Sequence, residues 1–480
     1  MPACVLLFVA MTQVLFASAS GKQIYERGES GEREITAVLR GSELDMPAKN
    51  FPCAGCHGTE GQGKREAGLT TPPIVWETLN ERYDAALFAR AVRAGVNWRN
   101  QALHPAMPSY NFTDEEVGGI ITHLKSLSTR QTPGVSDTAI KVGSALPLSG
   151  PLADAGKEIL AALDAAFAEV NARGGIYGRR IELVTADSRG DSAGALAATR
   201  RLVQEDRVFA LAGSFQPVGE TAAADYLERE GVALIGPAEL SPPASSRLRG
   251  STYYLLPDFG QQARALADYV ESKRQAPVQA PVRIAVFTGG NKFDSDALAG
   301  LKARAGLHGM QIVLDRRYER GRFSARDEAM ELRNTPVDWI FFFGDSEEIE
   351  RMASATQQAG IRTPLATCSA MLGPRAFSLE PEIAKRLILA SPVVPGTPAL
   401  DGIARAAALV VIEAAKRAGR QLTRSNFVES LQELREFRTG VMPPLTFDRN
   451  RRVGSAGAYI VRIDSGLREY TQVTDWIEPR

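Results

Sequence analysis

Phe51-Pro52-Cys53-Ala54-Gly55-Cys56-His57 is the stretch around which this chain has to be explained. Two cysteines three apart, followed at once by histidine, have the spacing that lets both thiols add to the vinyl groups of a haem while the imidazole reaches the iron. The stretch therefore reads as covalent c-type haem attachment, with Cys53 and Cys56 holding the porphyrin and His57 as an axial ligand. Half a zinc site and a thioredoxin-like redox pair are the competing readings. Zinc asks for a second pair of ligands, and nothing nearby offers one except His104 and His123. Of only four cysteines and four histidines in the chain, three fall in these five positions, which favours haem.

Working outward, 480 residues with 44% hydrophobic content suffice for two or three folding units. Lys+Arg and Asp+Glu both number 56, so nothing points to nucleic acid or an anionic membrane surface as partner. Val5 to Phe16 is an apolar run followed by Ala17-Ser18-Ala19, the small-x-small pattern of a leader cleaved before Ser20, although no Lys or Arg precedes the run. Residues 1–19 thus read as a signal peptide too short to span a bilayer, leaving no membrane span after its removal. Export to the periplasm agrees with c-type haem, which is attached outside the bacterial cytoplasm. Removing the leader takes Cys4 with it and leaves Cys368 without a disulfide partner if haem holds the other two.

Gly21-Lys22-Gln23-Ile24-Tyr25-Glu26-Arg27-Gly28 reads as a short helix ended by glycine. With the haem motif, residues 20–130 resemble small single-haem cytochromes c. That resemblance implies an all-α domain and one haem c. Relatives place the motif directly after the first helix, whereas here the polar stretch Glu29 to Pro52 intervenes and is expected to form a loop over a haem edge. Thr71-Pro72-Pro73 resembles the family's proline segment, whose carbonyl accepts the ring N–H of the proximal histidine. Tyr83 to Ala94 has helical spacing, with Leu87, Phe88 and Val92 as wall residues and Trp98 as a candidate cover for a propionate. Met107, in Met107-Pro108-Ser109-Tyr110 just before a helix capped at Thr113-Asp114-Glu115-Glu116, matches the family's sixth ligand. His104, three residues away, is the rival ligand, and His123 inside the last helix reads as a packing or surface residue.

Residues 131–138, with Pro133, Gly134 and Ser136, read as a linker. Beyond them strands and helices alternate twice, from Ile140 to Pro237 and from Gln261 to Ala366, which predicts two doubly wound α/β lobes with a cleft at the carboxyl ends of their strands. Leu146-Pro147-Leu148-Ser149-Gly150-Pro151, Asn171-Ala172-Arg173-Gly174-Gly175-Ile176-Tyr177-Gly178 and Val441-Met442-Pro443-Pro444-Leu445-Thr446-Phe447-Asp448 resemble the type I periplasmic binding proteins of branched-chain amino-acid importers. The resemblance covers residues 139–480 and implies one lobe of about 139–257 with 389–441, and another of about 258–388 with 442–480. It also implies a small organic ligand in the cleft and an ABC permease as partner. The family's two small hydroxyl residues, an aromatic and an acid fall here on Pro217, Leu240, Asp345 and Cys368, with Ala155 at its aromatic lid, so amino-acid specificity does not transfer. Ser149, Phe215, Gln216, Glu239 and Asp345 remain as candidate ligand contacts. Cys368 reads as packing, with a redox thiol as the other possibility.

No Ser-His-Asp arrangement assembles from so few histidines, and Gly174-Gly175 and Gly289-Gly290 lack the lysine or spacing of nucleotide-binding loops. A doubly ligated haem leaves no open position for oxygen chemistry, so a non-enzymatic role is expected. Two functions follow. One is an exported electron-transfer protein, with a periplasmic dehydrogenase or oxidase as redox partner, fused to a ligand-sensing or docking domain. The other is the solute-binding component of an amino-acid-type importer with an accessory haem domain.

Overall fold

The structure is a computed structural model. It describes residues 20–479 except 32, 43, 62, 67–68, 129–131, 216, 218–220, 240–249, 275–279 and 320, so the expected leader, Gln216 and Leu240 lie outside it. Two units are present, one of residues 1–132 with Ala418–Glu429 and one of Pro133–Arg417 with Ser430–Arg480.

In the first unit a helix over residues 20–27 buries Ile24 and Tyr25. It meets the helix Asp114–Ser128 backbone to backbone: a Cβ on Gly21 would lie 2.0 Å from the Gly119 carbonyl oxygen, so only glycine permits this approach. The second helix starts with a reciprocal capping box. Thr113 Oγ1 accepts the Glu116 N–H at 3.2 Å and Glu116 Oε2 accepts the Thr113 N–H at 2.8 Å. Val117, Ile120, Ile121, Leu124 and Leu127 then form one buried stripe at helical spacing. The helix Ala85–Ala94 is capped by Asp84, whose Oδ1 accepts the Leu87 N–H, and is closed by Gly95 at φ +64°.

The intervening stretch is not a loop. β1 (Thr36–Val38) pairs antiparallel with β2 (Met46–Pro47) on one side and with Ser109–Tyr110 on the other. Ile35, Ala37 and Ala48 enter the core beneath this small sheet. The three buried residues are scattered through a mostly polar run and do not register as a strand pattern, yet they suffice once a partner strand offers its edge. Lys64–Glu66 (β3) and Leu69–Thr71 (β4) form a hairpin after the haem motif, and Ser109–Tyr110 is β5.

In the second unit β6 (Ala139–Leu146), β7 (Arg180–Asp187), β8 (Ala210–Ala212), β9 (Leu234–Ile235) and β10 (Thr252–Tyr253) form a parallel sheet in the order β10-β9-β8-β6-β7. The second sheet contains β11 (Arg283–Thr288), β12 (Gln311–Arg317), β13 (Trp339–Phe343), β14 (Leu365–Cys368), β15 (Leu387–Ser391), β16 (Tyr459–Asp464) and β17 (Glu469–Gln472), in the order β12-β11-β13-β14-β15-β16-β17. Its last two strands run antiparallel. β13 reads Trp-Ile-Phe-Phe-Phe and is covered on both faces, as central strands of doubly wound sheets are. β15, including residues 389–391, belongs to this second sheet.

The glycine-rich segment after the helix Ala153–Ala172 is architectural. Asn171 exchanges both side-chain hydrogen bonds with the Ile181 backbone, at 2.8 and 2.9 Å, and Gly175 lies at φ +72° with no room for a Cβ beside Arg179. This turn aims the chain back into β7. Leu445 and Phe447 are likewise fully buried, with the Phe447 ring edge-on to Tyr253.

Candidate functional site

The first unit encloses a cavity of about 610 Å³, inside the range of cofactor pockets. Cys53, Cys56 and His57 line it together with His104 and Met107, and apolar side chains such as Ile74, Leu79, Phe88 and Val92 supply most of the wall. Ala91 takes the wall position expected for Leu87. The motif residues lie on the short helix Cys53–His57, clamped from several directions. The Tyr25 hydroxyl donates to the Gly58 carbonyl at 2.6 Å, Tyr110 donates to Phe51 at 2.7 Å, and Thr71 Oγ1 donates to Cys56 at 2.6 Å.

His57 Nδ1 lies 2.9 Å from the Pro72 carbonyl oxygen, which identifies the proline that orients the ring. A carbonyl only accepts, so Nδ1 carries the proton and Nε2 keeps its lone pair. Burial pushes the imidazole pKa down, partly offset by that hydrogen bond, and so favours the neutral form that ligates a metal. Burial also pushes the Cys53 thiol up to about 12, while Cys56 is exposed. The donor set, the orienting carbonyl and the apolar walls fit a haem.

Met107 is half-buried and packs on the hydrophobic core. His104 is exposed, and its Nδ1 accepts the Ala106 N–H at 3.2 Å. His123 is buried against the Tyr25 ring, with centroids 5.1 Å apart, and takes no part in the cavity wall. Trp98 lines the cavity with the Arg99 guanidinium 4.3 Å and the Arg82 guanidinium 6.0 Å from its ring centroid, placing two cations at this part of the wall.

The second candidate region lies at the strand ends of the second unit. Register explains Ser149: Leu146 pairs with Asp187, so the loop after β6 folds over the end of β7. Ser149 Oγ donates to Asp187 Oδ2 at 2.6 Å. That bond and backbone donors from Leu148 and Arg189 hold the Asp187 carboxyl below its ordinary range, so Ser149 is already engaged within its own lobe. Phe215 bridges Ala238 between the ends of β8 and β9. Glu239 follows directly, with a buried Oε1 that has no hydrogen-bond partner. Burial pushes its carboxyl up to about 8, with Lys292 the opposing influence. Cys368 is fully buried as the last residue of β14, and burial raises its thiol far above the range of a reactive one.

Asp345 precedes the helix Ser346–Gln358 and acts electrostatically on Asp294, a residue the sequence did not single out. Asp294 and Glu348 occupy the third position of the helices that follow β11 and β13. In sequence such acids read as ordinary first-turn residues that complement a helix dipole. Tyr318, just beyond β12, brings its hydroxyl beside Glu348.

The Glu239 carboxyl implies a pH dependence. Its folded value is raised above the ordinary 4.5, so the stability it permits is complete below pH 4.5 and is lost as pH rises through about 8. Glu239→Gln is expected to leave the melting temperature nearly unchanged at pH 5 and to raise it at pH 9. The rise should be several degrees, at about 2–4 °C per kcal/mol. Calorimetric scans across pH 5–9 check this, and parallel curves for the two proteins would refute it.

Two doubly wound lobes, preceded by a helical unit with a Cys-x-x-Cys-His cavity, define a two-lobed binding protein carrying a cytochrome c domain. The chain belongs to the periplasmic binding protein family, whose model matches residues 139–407, and the cytochrome c model matches residues 45–128. It is 26% identical over 224 residues to the Leu/Ile/Val-binding protein homolog 7 of Brucella abortus, covering 46% of this chain and 55% of that protein's length. A fatty acid ABC transporter substrate-binding protein from Thermomonospora curvata superposes with a TM-score of 0.55 at 19% identity, covering 73% of this chain and 95% of that one. A branched chain amino acid ABC transporter from Thermus thermophilus with bound valine gives 0.55 at 15% identity, covering 72% and 97%. These structures share the fold. Among the described residues no helix is long and apolar enough to cross a membrane.

Proposed function

We propose that this is a periplasmic one-electron carrier in which a single covalent haem c and a solute-binding cleft work together. The observation that carries the proposal is the apolar cavity in which two cysteines, an imidazole fixed by Pro72 and a thioether share one wall system. Cys53 and Cys56 would hold the group by thioethers, and His57 Nε2 and Met107 Sδ would be the side-chain donors to its iron. A bound haem supplies reversible one-electron exchange. Pro72 keeps the His57 proton on Nδ1, Tyr25 and Tyr110 hold the motif in place, and the apolar wall excludes water. With His57 and Met107 both donating, the group would keep no open position, which favours electron transfer to a periplasmic dehydrogenase or oxidase over oxygen chemistry.

The binding unit senses or docks a small organic solute of the same pathway, and its occupancy alters electron exchange. The test uses the haem-loaded full chain: midpoint potential and reduction rate are measured with and without the solute that co-purifies, identified by mass spectrometry. A change of severalfold in rate is expected; indifference to every cleft ligand rejects the coupling. A second reading, the solute-binding component of an ABC importer with an accessory haem domain, is supported by the relatives' descriptions. It would be favoured by a co-purifying branched-chain amino acid.

A further inference from the structure

We propose that the cleft of the binding unit takes a small organic ammonium ligand, seated among Asp294, Glu348 and Asp345 at the carboxyl ends of β11 and β13. The inference rests on the reading that this cleft binds a solute, and it specifies the solute's chemistry. Asp294 and Glu348 are 2% and 5% exposed; apart from Asn291 beside Asp294 and the Tyr318 hydroxyl beside Glu348, Asp294 Oδ2 and Glu348 Oε2 have no hydrogen-bond partner. Among the described residues neither carboxylate forms an ion pair with a lysine or arginine, and the charges acting on Asp294 are those of Asp345 and Glu348, both negative. Buried carboxylates that repel one another and lack a cation are costly, and helix N-termini offset only part of that cost.

The surrounding backbone is cut away where these groups converge. A Cβ on Gly289 would lie 2.8 Å from Asp294 Oδ2 and 3.2 Å from the Tyr318 hydroxyl, and one on Gly344 would lie 2.0 Å from that hydroxyl. Gly289 and Gly344 directly follow β11 and β13, the end of a doubly wound sheet at which ligands bind. Two carboxylates with spare lone pairs and a phenol suit the three N–H donors of a primary ammonium. No group of three acidic, histidine or cysteine side chains among the described residues is arranged to hold a metal ion, which favours an organic cation over a divalent metal. The same acids disfavour a ligand carboxylate. Glu239, which follows β9 and responds to Lys292, adds a further acid.

The test is titration calorimetry on the haem-loaded full chain at pH 8, with 2-phenylethylamine and 1,4-diaminobutane as cationic probes and 3-methylbutanoate and L-isoleucine as comparisons. At least one amine is expected to bind. The double variant Asp294→Asn, Glu348→Gln should bind it at least tenfold more weakly, while melting at the same or a higher temperature without ligand because two unpaired charges are gone. A merely structural pair would lower stability and leave amine affinity unmoved, and that result overturns the proposal. Binding of isoleucine or methylbutanoate with both amines silent rejects the ammonium assignment and preserves the solute-binding reading. Silence of all four probes counts against both.

Discussion

Replacing Cys53 and Cys56 together by serine is expected to yield a protein whose haem is lost on denaturation and whose first unit does not hold its fold. The cavity at issue is about 610 Å³. Without the ring its apolar walls are left to water, at a cost of about 25 cal/mol per Å² of apolar surface. The stability of a whole domain is only about 5–15 kcal/mol, so the unit loses a large fraction of it. Tyr25 and Tyr110 would still offer hydrogen bonds to the motif, but two such bonds contribute only about 1 kcal/mol each. A haem-stained denaturing gel, intact mass and far-UV circular dichroism measure the effect. A variant that keeps its haem through denaturation overturns the attachment site.

Met107→Ala is expected to abolish the weak near-infrared charge-transfer band of methionine ligation and to open the iron to added imidazole. It should also lower the midpoint potential by on the order of 0.1 V. His104→Ala should leave all three unchanged, because its ring is exposed and its Nδ1 already accepts a backbone N–H, whereas Met107 packs into the core. Absence of that band from the parent protein, with added imidazole gaining access to the iron in His104→Ala and not in Met107→Ala, would assign the sixth ligand to histidine.

Legibility followed the range of the interactions. The capping box at Thr113 and Glu116 spans three residues, so its sequence pattern and its hydrogen bonds coincide. The Trp339–Phe343 strand is an apolar run bounded by polar residues and needs no partner to be recognised. The small sheet around Thr36–Val38 escaped notice because its buried residues are sparse and its second partner, Ser109–Tyr110, lies some seventy positions away. Ser149 looked available for a ligand until the β6–β7 register brought Asp187 to it.

Haem attachment and the succession of a helical domain by two α/β lobes could be read from the chain alone, because thioether spacing, capping and the two hydrophobic periodicities are properties of neighbours along a backbone. Which proline orients His57, and whether a first-turn acid is a cap or part of a charged pocket, depended on distance in space. Asp294, Glu348 and Tyr318 follow three different strands and acquire a shared role only when the sheet sets those strands side by side. Electrostatic repulsion and desolvation act between atoms that packing has made adjacent, so no local pattern announces them.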